Sequence, residues 1–134
     1  MIYVLDTNAV SALMKGNETI VERLASHSPA DVAIPQPVIA EIAYGIQRLP
    51  RSRRRSVLQA RFDLICSELS RAEWTEAVSQ AFGRIKAVLE RRGSRIEDFD
   101  AAIAAHAIAN GATLVTANAR HMNRVPGLVI ENWS

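Results

Sequence analysis

Cysteine is almost absent from this sequence, since Cys66 is the only one among 134 residues. A single thiol cannot form a disulfide within the chain, and a zinc site built from several cysteines is excluded. No apolar run approaches the roughly 20 residues that cross a bilayer, which argues against a membrane protein. The first residues show no basic region followed by an apolar stretch, so nothing indicates export. We expect a cytoplasmic protein.

Lysine is also scarce. Lys15 and Lys86 are the only lysines among 16 basic residues, the others being arginines, and the formal net charge is +2. Arginine presents a planar, forked set of donors that suits phosphate, which is compatible with a nucleic-acid partner. A genome whose base composition favours arginine codons explains the same bias, and the composition alone does not separate the two interpretations.

The chain lacks internal repeats, low-complexity tracts and linkers, so residues 1–134 are predicted to form a single domain. Of these residues, 49% are hydrophobic, which is enough for a core without covalent staples. Apolar runs bounded by glycine, proline or polar residues predict strands at 2–5, 32–34, 113–116 and 128–130. Helical spacing predicts helices at 7–15, 18–26, 37–49, 51–65, from a cap at Ser70 or Thr75 to about 92, at 98–110 and around 120.

Strands that alternate with helices imply parallel pairing and right-handed crossovers. The predicted fold class is therefore α/β: a helix-rich, three-layer α/β/α sandwich with a short parallel sheet. On the long helix before Gly93, Trp74, Phe82 and Leu89 belong to an apolar stripe that we assign to the core. His106, in contrast, points away from the predicted inner face of its helix and is expected on the surface.

The first strand ends on a carboxylate. The run Ile2-Tyr3-Val4-Leu5 has no polar alternation, so it predicts a strand buried on both faces, and Asp6 follows it directly. In parallel sheets, ligands bind just beyond the carboxyl ends of the strands. Asp6 is therefore well placed to bind a metal ion or a phosphate group.

Three further polar residues lie at comparable positions. Glu41 is in the first turns of the helix that Pro37 opens, Asp100 is in the first turn of an alanine-rich helix, and Asn118 follows a strand. Asp100 projects from the same helix face as Ile103, where an unpaired carboxylate would be costly to bury. Carboxylates gathered without matching cations indicate a divalent ion, and oxygen ligands favour Mg²⁺ or Mn²⁺.

Together these segments resemble the PIN-domain family, in particular the VapC-type toxins of bacterial toxin–antitoxin pairs. The resemblance covers essentially the whole chain, and its segments are Val4-Leu5-Asp6-Thr7-Asn8, Ala40-Glu41-Ile42, Tyr44-Gly45, residues 100–105, Leu114-Val115-Thr116-Ala117-Asn118, Gly127 and Asn132-Trp133. It implies a PIN-like fold and a Mg²⁺- or Mn²⁺-dependent endoribonuclease. It also implies a cognate antitoxin, whose tail enters the acidic groove, and a homodimer.

Carried over position by position, the acidic residues of the family fall on Asp6, Glu41 and Asp100. The fourth position falls on Asn118, where many relatives carry aspartate, so a second metal ion is less well supported. We assign the principal ion to Asp6 and Asp100. Glu41 would bind it through water or orient the nucleophile, and Asn118 would position a water molecule.

Additional residues are candidates for supporting roles. Asn8 and Thr116 match the polar residues that accompany the acids in the family. A basic run and one histidine are possible RNA contacts: Arg51, Arg53, Arg54, Arg55 and His121. For the arginines, a solvated helix end is the simpler interpretation.

Three other functions compete with the nuclease. An aspartyl-phosphate phosphatase would need an acid where Asn8 stands and a lysine near the later acids, and neither Lys15 nor Lys86 fits. A catalytically silent PIN-fold binding or scaffold module would not need to keep three acids. A DNA-directed nuclease, or a DNA-binding regulator acting with the antitoxin, differs from the proposed enzyme only in its substrate.

Overall fold

One parallel sheet organises the protein, and a computed structural model describes all 134 residues. The strands are β1 (Tyr3–Leu5), β2 (Val32–Pro35), β3 (Ser70–Ala72), β4 (Thr113–Val115) and β5 (Ile130–Glu131). They pair in the order β3-β2-β1-β4-β5, and every pair is parallel. The aliphatic residues of β1, β2 and β4 are buried, as their unbroken hydrophobic runs predict, while Tyr3 at the start of β1 is partly buried.

Helices cover both faces of this sheet. They are α1 (Thr7–Met14), α2 (Glu18–Ala25), α3 (Gln36–Gln47), α4 (Arg53–Glu68), α5 (Glu76–Arg91), α6 (Asp98–Ala109) and α7 (Ala119–Met122), and a 3₁₀ turn spans Pro29–Asp31. The chain moves outward from β1 to β3 through α1–α4, then crosses back to β4 through α5 and α6. Right-handed crossovers in opposite directions place these two groups on opposite faces, which gives the predicted three layers.

Local sequence signals define the starts of several helices. Asp6, Asn17, Ser52 and Thr75 are N-caps whose side chains each accept a hydrogen bond from a backbone N–H two or three residues into the helix. Of the two caps predicted for the long helix α5, Thr75 is therefore the one that caps it, and Ser70 is not. At the other end of a helix, Gly16 follows α1 with a φ of 73°, a left-handed conformation that glycine adopts without steric cost.

The sequence prediction missed β3. Ser70 and Arg71 are exposed and only Ala72 is buried, so this strand carries no apolar run. It lies at the edge of the sheet, where one side of the backbone pairs with β2 and burial is incomplete. Its pairing, and not its side chains, makes it a strand.

Two predictions about burial were wrong. Trp74 precedes α5, is 45% exposed, and does not belong to the core, although Val78, Ile85 and Leu89 of the same stripe are buried. His106 is 0% exposed instead of lying on the surface. The helical-face argument failed for His106 because α6 has no solvent face: residues 101–107 are all buried between the sheet, α3 and α5.

The last residues pack back onto the sheet. The Trp133 indole is buried, stacks on the His27 imidazole and contacts the Tyr3 ring, while its N–H donates to Glu131. Glu131 also forms an ion pair with Arg23 at 3.4 Å. None of the seven α-helices combines the length and the hydropathy needed to cross a lipid bilayer.

His106 should make the stability of the protein depend on pH. Neither of its ring nitrogens has a hydrogen-bond partner, and burial lowers its pKa from 6.5 to about 4. Between about pH 4 and pH 6.5, His106 binds a proton in the unfolded chain but not in the folded protein, so this residue lowers the stability of the protein as the pH falls. We expect His106→Leu to lose this dependence, gaining roughly 2 kcal/mol relative to wild type between pH 7 and pH 5. Urea unfolding at both pH values measures the free energy of unfolding of each protein. An equal change between pH 7 and pH 5 in wild type and in His106→Leu would contradict the prediction.

Candidate metal site at the carboxyl edge of the sheet

The candidate site lies where the strand order reverses. β2 and β4 flank β1 on opposite sides, so the chain leaves β1 and β4 in opposite directions and opens a crevice at their carboxyl ends. Asp6 follows β1, and its backbone N–H donates to the Val115 carbonyl of β4 at 3.1 Å. Thr116 and Asn118 follow β4 at the same edge, Glu41 is on α3, and Asp100 is in the first turn of α6.

Asp6 is a buried carboxylate, with 5% of its surface exposed. One of its oxygens caps α1 by accepting the Ala9 N–H at 2.8 Å, and the Thr116 hydroxyl also hydrogen bonds to it. Burial raises the pKa of Asp6 above its usual range, and the negative charge of Glu41 adds to this effect. The two hydrogen bonds lower the pKa again only in part, so the site holds a carboxylate that is poorly solvated.

Glu41 is held by a residue from the other side of the crevice. The Thr7 hydroxyl, in the first turn of α1, donates to Glu41 Oε1 at 2.5 Å. The contact joins residues 34 positions apart and links α1 to α3 beside Asp6. The second carboxylate oxygen of Glu41 accepts no hydrogen bond from the protein, so that oxygen is free to bind water.

Asp100 completes the acidic group from the opposite layer. Burial raises its pKa, and the negative charges of Glu41 and Asp6 raise it further. The imidazole of His121, on α7, acts in the opposite direction. The three carboxylates therefore lie close enough for their charges to raise the pKa values of Asp6 and Asp100.

No salt bridge neutralises this group. The salt bridges of the protein join Arg23 with Glu131, Lys86 with Asp98 and Arg95 with Glu90, and none includes Asp6, Glu41 or Asp100. One buried and two partly buried carboxylates, which offer only oxygen ligands, form a set that a divalent cation such as Mg²⁺ or Mn²⁺ would stabilise. The side chains do not yet enclose one position: no three acidic, histidine or cysteine side chains converge closely enough to surround an ion. Mutual repulsion and the hold of Thr7 on Glu41 are consistent with this spacing.

The predicted supporting residues differ in their placement. Thr116 is buried and links two site residues, because its hydroxyl oxygen accepts the Asn118 N–H at 2.9 Å and its hydroxyl group bonds to Asp6. The Asn118 side chain makes no capping hydrogen bond at the start of α7. Asn8 is exposed on α1 and has no side-chain hydrogen bond to the acids.

The basic run lies on a separate surface. Arg51 and Arg55 line a polar groove of about 570 Å³ that contains none of the three acids. Arg55 is already engaged, since its guanidinium donates to Gln47 Oε1 at 2.7 Å and to the Leu49 carbonyl at 3.3 Å. Arg53 and Arg54 are exposed. Arg55 thus ties the α3–α4 connection together, while the other three remain available to a ligand.

Thr7 is the site residue that the sequence did not reveal. It stands between Asp6 and Asn8 in the motif that drew attention to the site, but nothing local to the motif shows that its hydroxyl faces Glu41. The only available signal was its position in the first turn after the strand. A contact between two helices is decided by how they pack on the sheet.

Comparison with known proteins agrees with this fold. The family model described as PIN domain matches residues 3–128. Ribonuclease VapC2 of Rickettsia felis is 36% identical, over 99% of this chain and 98% of that protein. The tRNA(fMet)-specific endonuclease VapC of Shigella flexneri is 29% identical over 98% of both. The crystal structure of VapBC2 from Rickettsia felis bound to a DNA fragment from their promoter superposes with a TM-score of 0.90, at 32% identity and covering 100% of both chains.

Removing the charge of Asp6 should stabilise the metal-free protein. The folded-state pKa of Asp6 lies above its ordinary value of 3.8, so the cost of its ionisation is absent at low pH and grows as the pH rises. Asparagine keeps the shape and the N-cap acceptor. We expect Asp6→Asn to gain about 1–2 kcal/mol at pH 7 in EDTA.

Thermal unfolding with and without millimolar Mg²⁺ or Mn²⁺ completes this measurement. The ion should raise the midpoint of wild type and leave that of Asp6→Asn nearly unchanged, because only the former gains a bound ligand. Asp63→Asn, the same chemical change at an exposed carboxylate of α4, is the matched control. Equal responses to the ion in all three proteins would contradict a metal site at Asp6.

Proposed function

This chain belongs to the PIN-domain family, and we propose that it is a metal-dependent endoribonuclease that serves as the toxin of a toxin–antitoxin pair. The observation that carries the proposal is the group formed by Asp6, Glu41 and Asp100, three electrostatically coupled carboxylates at the crevice of a parallel sheet that no salt bridge neutralises. The ribonuclease names of relatives that align over nearly the whole chain support it.

Asp6 and Asp100 are the proposed ligands of the principal ion, Mg²⁺ or Mn²⁺. They approach from β1 and α6, on opposite sides of the crevice, and burial and like charge make both carboxylates poorly satisfied without a cation. When bound, such an ion would lower the pKa of a water molecule and offset the charge that builds up on the phosphate. Because the raised pKa values favour protonated acids, protons compete with the ion for these side chains.

Glu41 and Asn118 are proposed to act on water. The Thr7 hydroxyl fixes Glu41 through Oε1, so its second oxygen is left to orient the attacking water or to reach the ion through one. Asn118 carries a neutral amide beside Thr116 and can position a water molecule without adding charge. With three negative charges in place of four, the residues fit one ion better than two.

The proposed partners are RNA, a cognate antitoxin and a second copy of the chain. The Rickettsia felis structure that this fold resembles is a VapBC complex bound to promoter DNA, which supports an antitoxin and a role of the complex in binding DNA. Such regulation is compatible with nuclease activity of the free toxin. A silent scaffold is less well supported, because a scaffold gains nothing from three carboxylates that no salt bridge neutralises.

Cleavage of a labelled panel of tRNA and rRNA by the purified protein tests the proposal. We expect cutting with Mg²⁺ or Mn²⁺, none with EDTA, and a loss of roughly 100-fold or more in Asp100→Asn, because removing one ligand costs several kcal/mol of transition-state stabilisation. Asp63→Asn should cut like wild type.

Two results would count against this function. Cleavage that persists in EDTA, or in Asp100→Asn at saturating Mg²⁺, would reject the metal-dependent mechanism. Metal-dependent cutting of single-stranded DNA without any cutting of RNA would favour the DNA-directed nuclease.

The arginine run is tested by the salt dependence of RNA binding. Each phosphate contact contributes about 0.7 to the slope of log K against log salt for a single strand. Replacing Arg51, Arg53 and Arg54 with Gln should therefore lower the slope by up to about 2 if all three contact phosphate. Arg55 is kept because it holds the α3–α4 connection. An unchanged slope would assign the run to a solvated helix end.

A further inference from the structure

An aromatic pocket lies beside the carboxylates, and the proposed mechanism does not use it. Its volume is about 430 Å³, within the roughly 300–1,000 Å³ of ligand pockets. Trp74, Phe82 and Phe99 line it, together with Pro37 and Ala40 of α3. Trp74 and Phe99 are 45% and 49% exposed, which is unusual for large apolar side chains. We call this cavity the aromatic pocket.

The aromatic pocket and the acidic site are built on the same two helices. Ala40 directly precedes Glu41 on α3, and Phe99 directly precedes Asp100 on α6. Each helix therefore contributes neighbouring residues to the pocket and to the acidic site. Two polar side chains, Gln36 and Asp98, also line it. The Gln36 amide nitrogen donates to Glu73 and one Asp98 oxygen pairs with Lys86, so the Gln36 amide oxygen and the second Asp98 oxygen are the groups left for a ligand.

Trp74 is held rigidly despite its exposure. Its indole N–H donates to Ser79 Oγ at 2.6 Å. Its ring meets the edge of the buried His106 ring, with centroids 5.6 Å apart at 89°, and lies 6.0 Å from the Phe82 ring. An aromatic face fixed on three sides is a preorganised stacking surface, because little side-chain freedom is lost when a ligand covers it.

A second groove adjoins the pocket on the far side of Phe99. It measures about 670 Å³, shares Phe99 and Asp98 with the pocket, and is also lined by Arg95 and His121. Lys86 pairs with Asp98 at 3.1 Å, which offsets that charge and leaves Glu97 as the other acidic residue of the groove. The aromatic pocket and the neighbouring guanidinium and imidazole groups match the alternation of bases and phosphates along a nucleic-acid strand.

We propose that the aromatic pocket is a nucleobase subsite, which takes an unpaired base of the RNA next to the phosphate held at the carboxylates. The base stacks against Phe99 and Trp74, its polar edge meets Gln36 and Asp98, and the neighbouring sugar-phosphate lies along Arg95 and His121. The inference rests on the proposed ribonuclease function and specifies which part of that substrate the site selects: a flexible, single-stranded nucleotide whose base can leave its stack.

Tryptophan fluorescence reports directly on this subsite. The chain has two tryptophans, of which Trp74 is 45% exposed and Trp133 is 1% exposed, so quenching by a ligand arises mainly at Trp74. The probe is a five-nucleotide oligoadenylate, added to Asp6→Asn protein so that no cleavage occurs. An abasic oligomer of the same length carries the same phosphates without bases. We expect the oligoadenylate to quench the emission and the abasic oligomer to leave it unchanged.

Variants at Phe99 separate stacking from general apolar contact. Phe99→Ala should weaken oligoadenylate binding roughly 5- to 100-fold, the range found when a stacking aromatic is removed. Phe99→Tyr should retain binding, and Phe99→Leu should lose most of it, since leucine fills space without a π face. Leu64→Ala removes another exposed apolar side chain, on α4, and should bind like the parent.

The outcomes distinguish this inference from the proposed function. Base-dependent quenching in a protein whose wild type cuts no RNA would support the subsite and reject the nuclease. Metal-dependent RNA cleavage together with equal quenching by the abasic oligomer would reject the subsite alone. Phe99 variants that bind and cut RNA normally but escape inhibition by the antitoxin would overturn the inference and assign the pocket to that protein partner.

Discussion

Carboxyl groups gathered without a salt-bridge partner are the constraint on which the rest of this structure depends. Asp6 is buried, faces the charges of Glu41 and Asp100, and receives only the Ala9 N–H and the Thr116 hydroxyl in return. Such an arrangement costs stability, because desolvation and repulsion both act on the charged forms. The remaining interactions of the fold compensate for this cost in stability, and binding of a divalent ion would reduce it. This is the common pattern in which a functional site is less stable than its surroundings.

Topology converts distant residues into that site. β1 lies at the centre of the sheet, so the loops after β1 and β4 meet at one edge, and the helices that leave this edge present their first turns to it. Thr7 holds Glu41 from α1, and Thr116 connects Asp6 with the Asn118 backbone. Asp6 and Glu41 are thus each oriented by a hydroxyl group, which directs a carboxylate without neutralising it.

Helix α6 links the site, the core and the aromatic pocket. Its first turn carries Asp98, paired with Lys86, then Phe99 in the pocket and Asp100 in the acidic group. Its middle is buried on every side, and His106 lies there against the Trp74 ring that lines the pocket. A change in the packing of this one helix would therefore reach the carboxylates and the stacking surface together.

The sequence alone determined the elements whose signals are local: the buried strands, the caps and the acids that follow strand ends. Unbroken apolar runs and capping side chains act over a few residues, and the order of PIN-like segments added the fold. Only the tertiary structure decided what depends on neighbours. β3 is a strand because β2 pairs with it, His106 is buried because α6 is enclosed, and Trp74 is exposed because it precedes its helix. The hydrogen bond from Thr7 to Glu41 also depends on the tertiary structure, since it joins residues 34 positions apart. Helical periodicity carries no information about which helix faces the sheet and the neighbouring layer will cover.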